Sequence, residues 1–339
     1  LQWAYSLTLL LVAFLLEMGA SLSAVTKDGD TPLHFAARYN RLKMARFLSL
    51  MGADINSTNL QQETPLHVTI VSHSLDVAKV LIKNKASVTV KDVQGMTSLH
   101  LAVMAGKLEL VRLLLETNST QVNSKKTVLG RTPLLLACSS NQSKMVALLL
   151  TFGADTTLTT VYRKSVLHVA ATSGSPGVLS TIMRSSPNPN LLAINNQTPL
   201  HCAAVRGDAT IIKMLLDAGV KANMKDFDGN TALHLAALAG NNDAINVLIQ
   251  HGMQVNLTNL LQQTPLHLAS MAGHTKTCSL LANAGCDDNS LDLHQMKADI
   301  YLDKSDRQPH QQTDVVFGVK REAIAVRFYN CNSTHLQGI

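Results

Sequence analysis

Short apolar runs alternate with polar breaks along most of the 339-residue chain. In each cycle one apolar run begins with Thr-Pro-Leu-His or a close copy, and a second run, such as residues 44–48 or 111–115, follows it. The copies begin at Thr31, Thr64, Thr97, Thr132, Ser165, Thr198, Thr231 and Thr264, with every interval 33 residues except the 35 between Thr97 and Thr132. A fixed period in this range predicts stacked supersecondary units.

The residue types within one cycle predict two helices. A threonine such as Thr31 is a good N-cap, because its hydroxyl can accept a hydrogen bond from an amide of the first turn. Pro32 follows at the first helical position, where the missing N–H costs nothing. Glycines such as Gly106 and Gly52 then end the first and the second helix, since glycine readily adopts the left-handed conformation. Each cycle is therefore predicted to form a helix, a turn, a second helix and a hairpin-like loop.

These motifs carry a family resemblance. Thr-Pro-Leu-His-x-Ala recurs in phase with Gly-Ala-Asp-x-Asn, as at residues 52–56, and together they resemble the ankyrin repeat over residues 1 to about 290. The resemblance implies an all-α solenoid of paired antiparallel helices with β-hairpin-like loops. It also implies about eight full repeats, preceded by a partial one, in a protein-interaction scaffold without enzymatic activity.

Phase divides the chain into three parts: a partial repeat at 1–26, the array at 27–290, and a degenerate cap with an irregular tail at 291–339. The apolar run at 7–16 is interpreted as a second repeat helix, because Gly19 lies 33 residues before Gly52. A processed signal peptide is the alternative, although a basic segment before the run is missing. The lack of an initiator Met leads us to expect upstream sequence.

Three departures from the regular repeat carry further expectations. The two extra residues near 120–128 are placed in a hairpin loop, and the second helix of the fifth repeat, near 178–184, is expected to be short. Beyond the array, a capping helix is predicted at 292–303 and β-prone residues at 315–329.

Candidate chemistry is sparse. Seven of the eight cycles place histidine at the fourth motif position, namely His34, His67, His100, His168, His201, His234 and His267, with Leu135 in the remaining cycle. Copies one repeat apart are too distant to share a metal, and in ankyrin repeats this histidine ties the hairpin to the helix. The nucleotide, metalloprotease, hydrolase and calcium-loop motifs are missing. We expect no catalytic residue, metal or cofactor, and the five cysteines are interpreted as buried free thiols.

The net charge of +6 is diffuse, since like charges never run beyond two residues such as Lys125 and Lys126. This pattern favours protein partners with acidic flanks over nucleic acid. No apolar run is long enough to span a membrane. We expect a monomeric array in the cytoplasm or the nucleus.

The resemblance places the partner-binding surface on the concave face, at loop residues just before each threonine and at helix residues seven and eight after it. Exposed apolar residues in such a groove mark binding sites, although half of these positions are expected to pack between loops. The predicted contact residues are Arg38, Tyr39, Met96, Met104, Leu129, Arg131, Tyr162, Lys164, Val205, Arg206, Phe227, Leu238, Leu261 and Met271. The same interpretation extends to Val71, Val93, Val128, Val161, Ile194 and Leu260.

Narrower assignments stay open. Residues 28–30, 59–67 and 122–132 resemble the inhibitor-of-kappaB and NF-kappaB precursor branch, which sequesters transcription factors. Against that branch stand the eight repeats and a second Gln-Gln copy at Gln262. The ankyrin part of an ion channel, a kinase or a ubiquitin ligase also fits the sequence.

Overall fold

The computed structural model describes residues 2–125, 129–185 and 187–299. It contains two compact units that divide between Val161 and Tyr162. Every regular element in the described residues is helical, which confirms the predicted all-α class. The expectations for Val128, for the second half of the capping helix and for the segment 315–329 lie outside the described residues.

The first unit holds one long helix, four helix pairs and a 3-10 turn. Their bounds are α1 Gln2–Glu17, α2 Pro32–Arg38, α3 Leu42–Leu50, α4 Pro65–Val71, α5 Leu75–Lys83, α6 Ser98–Met104, α7 Leu108–Thr117, the 3-10 turn Ser119–Asn123, α8 Pro133–Ser139 and α9 Ser143–Thr151. The short inner helices α2, α4, α6 and α8 pack in one layer, and α1, α3, α5, α7 and α9 pack in an outer layer. Because α1 packs on α3, it occupies the outer position of a repeat, as interpreted from its phase.

In its described residues, the second unit repeats the plan with four more pairs. Their bounds are α10 Val166–Ser173, α11 Pro176–Met183, α12 Pro199–Arg206, α13 Ala209–Asp217, α14 Ala232–Leu238, α15 Asn242–Gln250, α16 Pro265–Met271 and α17 Thr275–Asn283. The inner helices are α10, α12, α14 and α16. Helix α11 has 8 residues against 9 in α13, so it is only slightly shorter than its neighbours.

Each inner helix begins as its sequence predicts. At α4, Thr64 is extended at the N-cap (φ −87°, ψ 165°) and Pro65 takes the first helical position. The Thr64 hydroxyl lies 2.8 Å from Nδ1 of His67, and the Thr64 amide donates to the same nitrogen at 3.2 Å. Small residues such as Ala36, Ala37 and Ala102 are almost fully buried, so neighbouring helices approach closely in thin layers.

The hairpins owe their shape to a buried residue five positions before the motif threonine. The Asp226 carboxylate accepts the amides of Asp228 at 3.0 Å and Asn230 at 2.8 Å. The Asn59 side chain accepts in the same way from Gln61 and Glu63. These side chains satisfy loop amides that would otherwise be buried without a partner. Sequence analysis did not identify this role.

Two loops depart from the regular repeat. The inserted residues before Thr132 begin as a 3-10 turn directly after α7, so the insertion already starts at the end of the helix. At the other end, the Asp292 amide donates to the Met296 carbonyl, and the Asp292 side chain accepts from His294 and Met296. A hairpin of the repeat type therefore occupies residues 292–296, so the predicted capping helix is wrong over these residues.

Within the described part of the chain, no helix combines the length and the apolar character needed to cross a bilayer.

Candidate protein-binding surface

The hairpins present a row of exposed apolar side chains, each four residues before a motif position. We call these residues the tip row. Their exposed fractions range from 51% at Leu293 to 70% at Phe227 and Leu260. In the first unit the row contains Leu60, Val93 and Val161, and in the second unit Ile194, Phe227, Leu260 and Leu293.

Backbone hydrogen bonds fix each tip residue to the preceding hairpin. In the first unit, the Leu60 amide donates to Asp28 at 3.0 Å, and the Val93 amide donates to Gln61 at 3.0 Å. In the second unit, the Phe227 amide donates to the Asn195 carbonyl at 2.9 Å. The tips are thus held at a regular spacing and are not free loops.

Glycines permit this close approach. Gly29 and Gly229 both have positive φ, at 79° and 78°, two residues after the tip position of their hairpins. A Cβ atom added to Gly229 would lie 2.7 Å from the Leu260 amide nitrogen, and one on Gly29 would lie 2.9 Å from that of Leu60. The neighbouring hairpins leave no room for a side chain at either position.

The predicted contact residues differ in how far they are exposed. Tyr162 and Phe227 lie on the hairpins of the second unit together with Leu261, and Met104 is exposed at the end of α6. Arg206 is exposed as well, while Lys164, Val205, Leu238, Met271, Leu129 and Arg131 are half-buried. Burial lowers the pKa of the Arg131 guanidinium.

Met96 requires a correction. Its side chain is only 5% exposed and belongs to the core. The residue directly before the motif threonine closes the hairpin, and the Met96 amide donates to the Asp92 side chain at 2.8 Å. It cannot contribute to an exposed binding surface in this conformation.

Arg38 and Tyr39 have local partners near the start of the array. The Arg38 guanidinium donates to the buried Asp30 carboxylate at 2.6 Å, and the Asn59 amide group donates to the other oxygen of Asp30 at 2.9 Å. Burial alone would raise the pKa of Asp30, but the hydrogen bonds from Asn59 and Arg38 outweigh it and lower the pKa. Tyr39 stacks with Phe35, their ring centroids 6.0 Å apart. Both rings line a cavity of about 450 Å³ between α1, α2 and α3.

In the second unit as well, side chains at the ends of the inner helices form hydrogen bonds with neighbouring segments. The Gln263 side chain donates to the Met271 sulfur at 3.3 Å. Arg206 donates to the Thr172 carbonyl at 3.0 Å and lies across Gly174, where an added Cβ would lie 2.0 Å from its Nε. Side chains at the ends of the inner helices therefore contact either the base of a hairpin or the neighbouring inner helix.

The repeated histidines are structural. Nδ1 of His201 accepts the Thr198 amide at 3.1 Å, and its Nε2 lies 3.0 Å from the Asn230 carbonyl of the next hairpin. Since the first bond requires an unprotonated Nδ1, Nε2 carries the hydrogen and donates. Burial lowers the pKa of His168, His201 and His234 to about 4. These imidazoles are neutral hydrogen-bonding ties between repeats.

Other chemistry is sparse in the described residues. Cys138, Cys202, Cys278 and Cys286 are buried and are not in disulfides, and burial raises the pKa of Cys138, Cys278 and Cys286. The part of the chain that the structure describes contains no cluster of His, Cys, Asp or Glu able to hold a metal ion.

Sequence analysis missed two members of the tip row, Leu60 and Leu293. Leu60 lies 33 residues before Val93, which was identified, so its phase could have found it. Leu293 precedes Lys297 instead of a motif threonine, and without that landmark its hairpin was not recognised.

Stacked two-helix repeats joined by hairpins define a solenoid protein, in which each repeat contacts only its neighbours. A family model for ankyrin repeats (three copies) matches residues 1–92, 49–126, 91–160, 167–259 and 200–292. These matches cover most of the chain, which therefore belongs to the ankyrin repeat family. A comparison with curated proteins finds no match. The narrower resemblance to the inhibitor-of-kappaB branch has no support from either comparison.

Proposed function

We propose that this protein is a non-enzymatic scaffold or adaptor that binds a partner peptide or helix on its hairpin tips and the adjoining ends of its inner helices. The observation that supports this proposal is the regular row of exposed apolar side chains in the tip row. Monomeric proteins rarely expose large contiguous apolar patches without a binding role. Ankyrin repeats are in general protein-interaction modules, and the tip residues are all more than half exposed.

The composition of the surface fits a protein ligand. Tyr162 and Phe227 are aromatic, and Arg206 lies on the same unit; Tyr and Arg are enriched at interfaces and at their energetic hot spots. The first unit contains 15 Lys and Arg against 10 Asp and Glu. A partner with acidic flanks would gain long-range attraction from this excess. Buried free cysteines suit a reducing compartment, so we place the protein in the cytoplasm or the nucleus.

The test is affinity capture with the full chain as bait, comparing wild type with the Tyr162→Glu/Phe227→Glu double variant. A Leu50→Glu variant is the matched control, because Leu50 is 83% exposed but lies on the outer helix α3. We expect at least one partner to bind wild type and Leu50→Glu but not the double variant. Circular dichroism must show that all three proteins are folded. Identical partner sets for the three proteins would move binding away from the tips.

A further inference from the structure

Hydrogen bonds in three repeats show what surrounds the residue directly before the motif threonine. In the first repeat this residue is Asp30, which pairs with Arg38 at the end of the inner helix and with Asn59 of the next hairpin. Each contact recurs in the second unit, in the pairs Gln263 with Met271 and Asn230 with Asn259. We call the group formed by the residue before the threonine, the helix-end residue and the residue of the next hairpin the pre-threonine site.

In the fourth repeat the residue before the threonine is Arg131. The same register places Ser139, at the end of α8, and Thr160, on the next hairpin, beside it. The Val161 amide donates to the Leu129 carbonyl at 3.2 Å and joins these two hairpins. Ser139 and Thr160 are neutral, and the Ser139 hydroxyl already donates to a carbonyl of its own helix at 2.9 Å. The guanidinium therefore lies in a site whose other two members supply no negative charge.

Arg131 also lacks a charged partner elsewhere. It is half-buried, yet within the part of the chain that the structure describes its side chain forms no hydrogen bond and no ion pair. Arg38 is more exposed and nevertheless pairs with Asp30. The desolvation that lowers the pKa of the Arg131 guanidinium is thus not offset by a described carboxylate. Removing a charged group from water without a partner is unfavourable, and an anionic ligand would relieve this penalty.

The number of charges at the site favours a carboxylate over a phosphate. Phosphorylated peptides are recognised by clusters of arginines, whereas one planar guanidinium matches one carboxylate through two parallel hydrogen bonds. Among Arg131, Ser139 and Thr160, only Arg131 is charged. The apolar tip Val161 is 52% exposed, and a Cβ atom added to Gly130 would lie 3.2 Å from its amide nitrogen. An acidic side chain next to an apolar one therefore fits this place.

We propose that the pre-threonine site of the fourth repeat binds a carboxylate of the protein partner, with Arg131 as its anchor. The guanidinium donates two parallel hydrogen bonds to an Asp or Glu side chain, and an apolar neighbour of that residue packs on Val161. This inference rests on the proposed function and names the group that one point of the surface recognises. The ligand thereby supplies the negative charge that Ser139 and Thr160 do not.

Peptide selection against the full chain tests the anchor without a known partner. Random peptides of about 12 residues, displayed on phage, are selected separately on wild type, Arg131→Met and Arg112→Met. Methionine already precedes the threonine at Met96, so the first substitution fits a hairpin of this type. Arg112 is exposed on the outer helix α7 and gives the matched loss of one charge. We expect the wild-type and Arg112→Met selections to share an acidic residue at one fixed position beside an apolar residue, and the Arg131→Met selection to lack it.

A double-mutant cycle with one selected peptide then measures the pairing by fluorescence anisotropy. Replacing the acidic residue of the peptide with the matching amide, or Arg131 with methionine, should each weaken binding at least about tenfold. The two changes together should cost little more than either one. A phosphoserine at the acidic position should bind no more tightly. Circular dichroism and thermal unfolding should show that the Arg131→Met protein is folded and at least as stable as wild type, because no described ion pair is lost.

Additive losses in the cycle, or an acidic position that persists in the Arg131→Met selection, would overturn the inference. Tighter binding of the phosphopeptide would overturn the assignment of a carboxylate, and a wild-type selection that yields no peptide would overturn the anchor. Peptides that bind wild type and Arg131→Met alike would overturn the anchor and leave the scaffold function standing. The capture experiment with the Tyr162→Glu/Phe227→Glu double variant tests that function separately.

Discussion

Two hairpins in different units have nearly the same sequence and almost the same structure. Residues 59–64 read Asn-Leu-Gln-Gln-Glu-Thr, and residues 259–264 read Asn-Leu-Leu-Gln-Gln-Thr. In both, a buried asparagine side chain accepts two loop amides, and the tip leucine is 69% or 70% exposed. They differ at two positions: Gln61 in the first hairpin corresponds to the exposed Leu261 in the second, and Glu63 corresponds to Gln263.

The difference extends to the two units. Residues 162–299 contain nine Lys and Arg and nine Asp and Glu, so the described part of the second unit is neutral while the first unit is basic. The same hairpin hydrogen bonds thus occur in both units. In the basic first unit, polar residues follow two of the tips, whereas the second unit has a longer apolar row. The repeat sets where side chains are presented, and the variable positions set what they can bind.

The largest expected difference between the units appears in acid. A histidine whose folded pKa is lowered stabilises the fold above its unfolded pKa, near 6.5, and that stability is lost as pH falls towards the folded value. His168, His201 and His234 have folded pKa values of about 4. Each of these histidines therefore lowers the free energy of unfolding by about 1.4 kcal/mol per pH unit as the pH falls from about 6.5 to 4.

We expect the second unit to lose stability first between pH 6.5 and 4, because the fourth repeat of the first unit carries Leu135 in place of histidine. Amide hydrogen exchange with peptide-level resolution, measured at successive pH values, checks this. Loss of protection in residues 31–151 before residues 165–283 would contradict it.

The next largest effect is expected when one of the histidines that link neighbouring repeats is replaced. His201→Leu leaves the buried Thr198 amide and the Asn230 carbonyl without their partner, at a cost of about 2–3 kcal/mol at pH 7. Leucine fits the shape, as Leu135 does in the first unit, so the loss is one of hydrogen bonds. Urea unfolding should show a smaller deficit at pH 5, since the wild-type histidine is then already destabilising. A deficit that stays the same at both pH values would show that the histidine does not titrate as described.

The close approach of hairpins can be separated from backbone strain. Gly229→Ala combines a positive φ with a Cβ placed 2.7 Å from Leu260, while Gly219→Ala has the positive φ alone, with nothing within 4 Å. We expect a cost of about 1 kcal/mol for Gly219→Ala and about 2–3 kcal/mol for Gly229→Ala, from denaturant unfolding. Gly29→Ala should match Gly229→Ala if the tips of both units are built alike. Equal costs at Gly219 and Gly229 would show that the tip row is not tightly fixed.

The smallest effects concern two arginines that sequence analysis placed on the binding surface. Arg38→Ala leaves the buried Asp30 carboxylate with fewer donors, and we expect it to cost about 1–2 kcal/mol and to raise the pKa of Asp30. Arg206→Ala removes a bond to one exposed carbonyl and should cost less than about 0.5 kcal/mol. Thermal unfolding and an NMR titration of Asp30 measure these effects. An unchanged pKa of Asp30 would show that Arg38 does not stabilise this carboxylate, and Arg38 would then remain a candidate contact residue for a partner.

The repeats were predictable because capping threonines, prolines and terminal glycines act locally and recur in phase. The ankyrin resemblance, the helix pairs and the histidine ties all follow from residues such as Thr198 and His201. Exposure was harder to predict: Met96 and Val93 lie three residues apart on one hairpin, yet the first is buried and the second is exposed. Their difference depends on contacts with neighbouring hairpins, which no single repeat contains. The hairpin at Asp292 lacked a motif threonine to mark it.

The most direct test of binding by the tip row uses the two nearly identical hairpins. Leu60→Glu and Leu260→Glu are placed in separate full-length proteins, and each is compared with wild type in affinity capture followed by quantitative mass spectrometry. We predict that at least one of the two variants loses a partner that wild type binds, with both variants folded by circular dichroism. Retention of every wild-type partner by both variants would contradict the assignment of binding to the tip row.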